Sequence, residues 1–409
     1  MNEYSTAAES STSAAIIAAT DRVSARNYEP LPVVLTRGSG IWVWDVEGRR
    51  YLDCISAYSS LNQGHCHPRI VAALEAQASR LSLTSRAVHN DRMGDFLARL
   101  TDLAGLAKAL PMNTGAEAVE TAIKLARKWG YERKGVADDA ARIVVCRNNF
   151  HGRTTTIVGF STEDQYRHGF GPFTPGFDVV EFNDAQQLQQ AIRGETVAVL
   201  IEPIQAEAGI LVPSPGYLTA VKRVCRDNGV LLMLDEIQTG LGRTGRLFAH
   251  EHDDDAAPDV LILGKALGGG LYPVSAALAS AEVMDVIGPG DHGSTFGGNP
   301  LASAVGLAAL DVIIDEQLAA RAERMGRRLQ SGIEALGSDR IRDLRGRGLL
   351  IGIEVDPSAG TARELALALL ANGVLAKDTH RYVLRLAPPL IIEETEIDWL
   401  LARLAEVLT

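Results

Sequence analysis

Two short apolar runs lie in residues 230–265, VLLMLDEIQTGLGRTGRLFAHEHDDDAAPDVLILGK, and a charged side chain follows each of them. Val230–Leu234 is followed directly by Asp235, and one glycine separates Val260–Leu263 from Lys265. Unbroken apolar runs of this length are typical of strands that a parallel sheet buries on both faces. Because the carboxyl ends of parallel strands meet at one edge of the sheet, where such folds bind ligands, we expect Asp235 and Lys265 to lie close together.

The middle of the chain repeats this alternation of apolar strands and helical segments. Two more apolar runs occur at Ile143–Val145 and Val197–Ile201, and helical patterns such as Leu218–Asp227 separate the runs. Thr114–Tyr131 is the clearest helix, because its apolar residues recur at helical spacing after a capping box. The predicted fold class is α/β, with a mostly parallel central sheet covered by helices on both faces.

The two ends of the chain predict a smaller α+β domain. Residues 40–53 alternate large apolar residues with others around a turn, which is typical of a β-hairpin, and a helix is expected over Pro68–Arg80. After Leu301 we expect one long helix and then a strand, a helix and a strand: Leu349–Val355, Ala362–Asn372 and Tyr382–Ala387. The predicted organisation is a mobile tail, an N-terminal segment of the small domain, a large domain and the C-terminal small domain: 1–20, 21–64, 65–300 and 301–409.

Composition and charge place the chain among ordinary globular proteins. Of its 409 residues 46% are hydrophobic and 22% charged, so it can bury a large core without disulfides or a structural metal. Its 51 acidic and 40 basic residues give a net charge of −11, which opposes binding to a nucleic-acid backbone. The arginine cluster over Arg321–Arg347 alternates with acidic residues and predicts solvated helix faces. No apolar run is long enough for a membrane span, so neither nucleic acid nor membrane is an expected partner.

Cysteine usage and the N-terminal residues favour the cytoplasm. The four cysteines lie far apart without a C-x-x-C pair, which argues against a disulfide framework and suits a reducing compartment. The segment His65-Cys66-His67 invites a metal interpretation, but three adjacent residues in a turn rarely converge on one ion, so no metal is predicted. The first 25 residues include acidic side chains and lack the basic start of a secretory signal.

Lys265 has the setting of a nucleophilic amine. An amine is nucleophilic only when it is unprotonated, and burial at the end of an apolar strand lowers its pKa. Gly268–Gly270 leave room for a ligand beside it, and such a lysine can form a Schiff base with a carbonyl cofactor. The alternative is a lysine that extends from the strand end into solvent.

Two further features fit one such cofactor, pyridoxal phosphate. Its ring acts as an electron sink only while the ring nitrogen is protonated, and Asp235 can supply the carboxylate partner that this requires. Asn113–Ala116 opens a helix whose free amides and dipole favour a phosphate, and Gly115 lets the backbone approach it. Singly, these features could be a helix cap or an ion-pair partner. Together with Lys265 they match the needs of one cofactor.

Residues 240–245 read GLGRTG and match the G-x-G-x-x-G pattern of dinucleotide-binding folds. In those folds the glycines directly follow a strand and open a helix. Here residues 235–239 separate the glycines from the apolar run, and residues 246–248 continue no helical pattern. A dinucleotide site is therefore not predicted.

Longer segments carry more specific motifs. Six of them read NTGAEAVETAIKLARKWGY, NFHGRT, EPIQAEAG, LDEIQTGLGRTG, LGKALGGGLYPVSA and HGSTFGGNP. These resemble the class III pyridoxal-phosphate-dependent aminotransferases of fold type I. Four more are similar to the ornithine δ-aminotransferase branch of that family: NYEPLPVVL, SAYSSLNQGHCHP, GFGPFTPGF and LRLAPPL. The resemblance runs from Asn27 to Pro389 and implies the fold type I architecture for nearly the whole chain.

The resemblance implies the cofactor contacts residue by residue. Lys265 would hold pyridoxal phosphate as an internal aldimine and then move the proton, while Asp235 would pair with the ring nitrogen. Gln238 would contact the ring hydroxyl. Phe150, with its neighbour His151, would cover the ring face. Gly115, Ala116 and Thr295 would bind the phosphate. Because Thr295 would come from the partner subunit, the resemblance implies a homodimer with shared active sites.

A second group of residues would set substrate choice. Tyr28 and Arg153 would bind the carboxylate end of ornithine, and Arg385 would take the α-carboxylate of glutamate in the other half-reaction. Glu207 would pair with Arg385 while ornithine is bound, because a buried arginine left unpaired is costly. Tyr58 would line the pocket and favour ornithine over simpler ω-amines. The open alternatives are that the two tyrosines are packing aromatics and that Glu207 and Arg385 form an ordinary ion pair.

The implied activity is a ping-pong transfer of the δ-amino group of L-ornithine to 2-oxoglutarate, in proline formation or arginine breakdown. A sister enzyme acting on N-acetylornithine, lysine or 4-aminobutyrate is the nearest alternative, but those relatives generally lack the Tyr28 and Tyr58 pair. A second alternative is an aminomutase on the same scaffold, which would differ from an aminotransferase in needing no external oxo-acid. A non-catalytic binding protein is disfavoured by the set of Lys265, Asp235 and Thr295.

Two positions depart from the pattern of the family. His151 stands where animal ornithine enzymes carry a tryptophan, although histidine is common across the wider class. Ala206 replaces the glycine that is usual before the glutamate at Glu207. Neither change touches the chemistry of Lys265, and both bear on how strictly ornithine is preferred.

Overall fold

A computed structural model of the protein describes residues 12–408, which form three β-sheets with surrounding helices. The strands are β1 (Leu35–Ser39), β2 (Trp42–Asp45), β3 (Arg50–Asp53), β4 (Lys108–Met112), β5 (Arg142–Cys146), β6 (Phe177–Val180), β7 (Thr196–Ile201), β8 (Leu231–Asp235), β9 (Val260–Leu263), β10 (Ser275–Ala279), β11 (Ile341–Arg347), β12 (Leu350–Val355), β13 (Val374–Leu375), β14 (Lys377–Thr379) and β15 (Val383–Leu386). The helices are α1 (Ser13–Asp21), α2 (Ser56–Ser59), α3 (Pro68–Ala78), α4 (Met93–Ala104), α5 (Gly115–Trp129), α6 (Thr155–Gly159), α7 (Asp164–Arg167), α8 (Ala185–Ala191), α9 (Tyr217–Asp227), α10 (Ala281–Met284), α11 (Pro300–Asp315), α12 (Leu318–Ala335), α13 (Ala362–Ala371) and α14 (Glu394–Leu408). None of these helices is long and apolar enough to cross a membrane.

The central sheet has seven strands in the order β4-β10-β9-β8-β7-β5-β6. All neighbours pair in parallel except at β10, which runs antiparallel to both β4 and β9. Alternate strand residues enter two hydrophobic clusters, because Leu232 and Leu234 pack on one face while Leu231 and Met233 pack on the other. The α/β class with a mostly parallel central sheet is confirmed.

The chain ends build two smaller sheets. The predicted hairpin is confirmed, since β2 and β3 pair antiparallel, and β13 from the C-terminal part joins β3 in parallel. The second small sheet is antiparallel, in the order β11-β12-β15-β14. Arg385 lies on β15 opposite Gly352, so this sheet carries one of the predicted substrate residues.

One predicted helix is two helices, and part of the predicted tail is helical. The single long helix expected after Leu301 is two helices, α11 and α12, because Gln317 takes a left-handed φ of 51° that ends the helical path between them. Within the predicted tail, residues 13–20 belong to α1, which buries no side chain, and residues 1–11 lie outside the described residues.

Candidate active site

Strands β7, β8 and β9 end beside one cavity of about 190 Å³, the inner cavity. The cavity brings together seven of the predicted site residues: Gly115, Ala116, Phe150, His151, Asp235, Gln238 and Lys265. Strands β8 and β9 are parallel neighbours, with Asp235 paired to Ile262, so their carboxyl ends share one edge of the sheet. The juxtaposition predicted for Asp235 and Lys265 therefore follows directly from the strand order.

Lys265 opens a single 3-10 turn, Lys265–Gly268, just after β9. Its own φ is 45°, a left-handed value that directs the chain sharply away from the sheet. Burial lowers the pKa of Lys265 to about 8, although the negative charges of Glu207 and Asp235 oppose the change. A neutral, nucleophilic amine is thus present at much lower pH than for a lysine in water.

This lowered pKa predicts how fast the apoprotein captures an aldehyde. The rate at which pyridoxal phosphate attaches covalently to Lys265 should rise with pH and level off above pH about 8, where the amine is mostly neutral. Stopped-flow absorbance across the pH range measures that midpoint. Nα-acetyl-lysine is the matched control, with a midpoint at pH about 10.4. A protein midpoint equal to that of the control would contradict the buried setting of Lys265.

Asp235 is a buried carboxylate held on both oxygens. His151 Nδ1 lies 2.7 Å from Oδ2, and Oδ1 accepts a hydrogen bond from the backbone N–H of Ile237 at 3.0 Å. Beside a carboxylate, Nδ1 of His151 is the protonated nitrogen and donates. His151 Nε2 is buried and has no hydrogen-bond partner among residues 12–408. His151 therefore orients the carboxylate of Asp235.

The N-terminus of α5 forms one wall of the cavity. Thr114 and Glu117 make the predicted capping box, which leaves the amides of Gly115 and Ala116 without intrahelical partners. A Cβ at Gly115 would lie 3.0 Å from the Ile237 side chain, so any larger residue here would have to displace that side chain. Free amides at the start of a fifteen-residue helix suit a phosphate.

Glu202 is a cavity residue that the sequence interpretation missed. It directly follows β7 and accepts a hydrogen bond from the backbone N–H of Phe150 at 2.9 Å. Burial raises the pKa of Glu202 well above its usual range, and the charge of Asp235 acts in the same direction. The signal was available, because Glu202 ends an apolar run just as Asp235 does.

Gln238 connects this cavity to a second charged group. Its Nε2 donates to Oε1 of Glu207 at 3.1 Å, and its Oε1 accepts from Arg385 at 3.3 Å. Arg385 Nη1 also donates to Oε1 of Glu207 at 2.5 Å. The three side chains thus form the predicted ion pair with an amide bridging it. Gln238, the residue predicted to contact the ring hydroxyl, is therefore hydrogen-bonded to both Glu207 and Arg385.

Arg385 is 1% exposed, yet its Nε and Nη2 have no hydrogen-bond partners within the part of the chain that the structure describes. Glu207 therefore covers only part of the guanidinium. Burial by itself would raise the pKa of Glu207, but the charges of Arg385 and Lys265 outweigh it and lower the pKa to about 2. Glu207 is ionised at any working pH. Free buried donors beside it suit a second anionic group.

Tyr58 reaches this pair from α2, where four successive residues, 56–59, have left-handed φ values between 44° and 68°. No glycine relieves this strain. Asp53 holds the turn by accepting from the backbone N–H groups of Ile55 and Ser56, each at 2.9 Å. The guanidinium carbon of Arg385 lies 4.9 Å from the centre of the Tyr58 ring, so the turn fixes an aromatic wall against Arg385.

Tyr28 and Arg153 share a separate cavity of about 290 Å³, the outer cavity. Both side chains are exposed, Tyr28 by 68%. Arg153 forms no ion pair with any residue in 12–408, in contrast to Arg385. The two predicted carboxylate-binding arginines therefore differ: Glu207 pairs with Arg385, whereas Arg153 has no ion pair among the described residues.

Thr295 is the one predicted cofactor residue outside both cavities. It is exposed in the loop before α11, and the neighbouring Phe296 is 48% exposed.

Nearer the N-terminus, His65 pairs with Asp53 and His67 with Glu316. No group of three potential metal ligands occurs in the described chain.

The glycine-rich segment 240–245 follows β8 as a series of turns. Arg243, fully buried, donates to the Asn62 side chain at 2.7 Å and to the carbonyls of Leu349 and Pro388 at 2.9 and 2.6 Å. The segment thus ties the central sheet to both chain ends. No helix opens at these glycines, as a dinucleotide site requires.

A lysine of lowered pKa, a buried carboxylate and a helix start with free amides, gathered at the carboxyl edge of this sheet, define an enzyme that uses pyridoxal phosphate. A sequence model of the family described as aminotransferase class III matches residues 23–408, so the chain belongs to the class III aminotransferases.

Individual relatives agree with this family. An ornithine aminotransferase of Bordetella pertussis is 55% identical over 388 residues, which cover 95% of this chain and 94% of the relative. A solved ornithine aminotransferase of Toxoplasma gondii superposes with a TM-score of 0.96 at 45% identity, over 98% of this chain and 95% of that one. An acetylornithine aminotransferase of Elizabethkingia anophelis superposes with a TM-score of 0.88 at 49% identity, over 97% and 98% of the two chains.

Proposed function

We propose that the protein transfers the δ-amino group of L-ornithine to 2-oxoglutarate. The products are L-glutamate and glutamate 5-semialdehyde, which cyclises to pyrroline-5-carboxylate. The observation that carries this proposal is the difference between the two arginines, since Glu207 covers Arg385 while Arg153 is free of ion pairs among the described residues. The similarity to ornithine aminotransferases over nearly the full chain supports it.

The two substrates differ in the number of carboxylates, and the site can accommodate both. Ornithine has one carboxylate, far from the reacting δ-amine, and Arg153 with Tyr28 binds it in the outer cavity. The reacting end of ornithine has no anion for Arg385, so Glu207 stays in place. 2-Oxoglutarate brings a carboxylate to each end, and one of them takes the place of Glu207 on Arg385.

Bound pyridoxal phosphate supplies the carbonyl group and the electron sink for amino transfer. Lys265 takes a proton from the carbon that bears the amine and returns one, which its lowered pKa allows near neutral pH. Asp235, oriented by His151, holds a proton at the ring nitrogen. The amides of Gly115 and Ala116 would bind the phosphate, and Phe150 would pack on the ring face of the cofactor in this cavity.

Product analysis tests the proposal. Purified protein with L-ornithine and 2-oxoglutarate should form equal amounts of glutamate and pyrroline-5-carboxylate, and omission of the oxo-acid should stop the reaction after one turnover. Continued product formation without an oxo-acid would favour an aminomutase. Faster conversion of N-acetylornithine, lysine or 4-aminobutyrate would favour a sister aminotransferase.

Glu207→Gln should weaken the preference for ornithine as the amino donor. The variant keeps the size of the side chain but removes the charge that covers Arg385, so that glutamate competes better for the site. We expect the ratio of kcat/KM for ornithine to kcat/KM for glutamate to fall by about 10- to 100-fold, the range expected for a hydrogen bond between charged groups.

Glu354→Gln is the matched control, because Glu354 pairs with Arg345 at 2.7 Å and lines neither cavity. It should leave the donor ratio unchanged. An unchanged ratio in Glu207→Gln would show that Glu207 and Arg385 form only a structural ion pair.

We also propose that the protein is a cytoplasmic homodimer in which Thr295 completes the partner's phosphate site. In the single chain, Thr295 and the neighbouring ring of Phe296 are both exposed. An exposed aromatic ring at this position supports a surface that a partner subunit covers. Co-expression of Lys265→Ala and Thr295→Ala chains should give hybrids with one native site and restored activity. Hybrids without restored activity would contradict shared sites.

The free state of all four cysteines agrees with a reducing compartment, which supports the proposed cytoplasmic location.

A further inference from the structure

Arg153 has a long, flexible side chain that nothing charged holds in place. It is exposed and has no carboxylate partner between residues 12 and 408. A free arginine of this kind samples many rotamers, and binding a carboxylate in one of them costs conformational entropy. A precise carboxylate site therefore needs a neighbour that orients the guanidinium before the substrate arrives.

Tyr166 on α7 is that neighbour. The guanidinium carbon of Arg153 lies 4.0 Å from the centre of the Tyr166 ring, which is a close cation–π contact. The Tyr166 ring is partly buried and lines the outer cavity with Tyr28. Burial raises the pKa of the Tyr166 hydroxyl, so the ring meets the guanidinium as a neutral phenol.

Tyr166 also contacts the inner cavity through Phe150. The two rings meet edge to face, with centroids 5.9 Å apart and planes at 78°. Phe150 is itself fixed by its backbone hydrogen bond to Glu202 and is 5.6 Å from the Arg153 guanidinium carbon. Phe150, Tyr166 and Arg153 therefore form one connected unit that extends from the ring face to the carboxylate site.

We propose that Tyr166 is a positioning residue that sets the length of amino acid accepted, by fixing Arg153 at a constant distance from Phe150. The inference rests on the proposed function, in which Arg153 binds the carboxylate far from the reacting amine. In a closely fitting pocket, one methylene changes the rate by about 10- to 200-fold. A mobile Arg153 would instead follow the carboxylate of a longer or shorter substrate.

Replacement of Tyr166 by leucine tests this directly, with phenylalanine as the conservative variant. Single-turnover rates are compared for L-ornithine, L-lysine and L-2,4-diaminobutyrate, and for putrescine, a diamine without a carboxylate. The native protein should prefer ornithine over its longer and shorter homologues by at least about 10-fold. Tyr166→Leu should reduce this preference to within about 3-fold, which is less than one methylene is worth in a rigid site. Tyr166→Phe, which keeps the ring, should retain the preference.

The putrescine rate separates positioning from a merely structural role. Tyr166→Leu should lower it less than it lowers the ornithine rate, because putrescine has nothing for Arg153 to bind and depends only on the contact of Tyr166 with Phe150. Full retention of length preference in Tyr166→Leu, or an equal loss of rate on putrescine, would overturn the inference. Failure of the native protein to react with ornithine would count against the proposed function instead. The same length comparison is then made with the ω-amino acids that the native protein accepts.

Discussion

Lys265→Ala should lower multiple-turnover activity by at least about 10⁴-fold, because one amine provides both the covalent attachment and the proton transfer. No other lysine lines the inner cavity, so none of the residues at that cavity can replace it. The visible absorption of the protein after addition of pyridoxal phosphate should also change, since no Schiff base to Lys265 can form. Steady-state product formation and the absorption spectrum are the two measurements.

Lys222→Ala is the matched control. Lys222 pairs with Asp259 at 2.7 Å and lines neither cavity, so its loss should leave turnover close to native. Lys265→Arg keeps a positive charge without a usable nucleophile and should be as inactive as the alanine variant. Native turnover in either Lys265 variant would contradict the assignment of Lys265 as the catalytic lysine.

Asp235→Asn should lower kcat by about 10²- to 10⁴-fold, since an uncompensated charge in a buried pair costs about 3–5 kcal/mol. Asparagine keeps the size and one acceptor, but it removes the charge that holds a proton on the ring nitrogen. His151 would then face an amide in place of a carboxylate at 2.7 Å. The affinity of the apoprotein for pyridoxal phosphate, measured by calorimetry, should fall as well.

Asp178→Asn is the control for Asp235→Asn, because Asp178 pairs with Arg142 at 2.6 Å on β6, away from the cavity. It should lose some stability and keep its kcat. If Asp235→Asn kept both its kcat and its cofactor affinity, another group would have to hold the ring nitrogen.

The residues at strand ends were predictable from the sequence, because a parallel sheet forces the carboxyl ends of its strands together. Asp235 and Lys265 follow from that rule alone, and Glu202 obeys it too, although its end-of-strand signal was overlooked. Strand β10 was not predicted, since SAALA has a single large apolar residue, Leu278, among small ones and no β-branched residue. Its antiparallel position also has no signature in the sequence.

Other parts of the site depend on contacts between distant segments. Arg153 and Tyr166 meet through a four-residue helix whose placement no periodicity encodes. The left-handed turn at Tyr58 contains no glycine, so nothing local indicates its positive φ values. The roles of Tyr28, Arg153, Glu207 and Arg385 came from family resemblance. The structure adds the geometry that separates a covered arginine from a free one.

The most direct test is the visible spectrum of the purified protein with pyridoxal phosphate, recorded as L-ornithine, N-acetylornithine and 4-aminobutyrate are added in turn. Ornithine alone should rapidly bleach the cofactor band, and 2-oxoglutarate should restore it. Bleaching by one of the other amines and not by ornithine would contradict the roles given to Arg153, Tyr28 and Glu207.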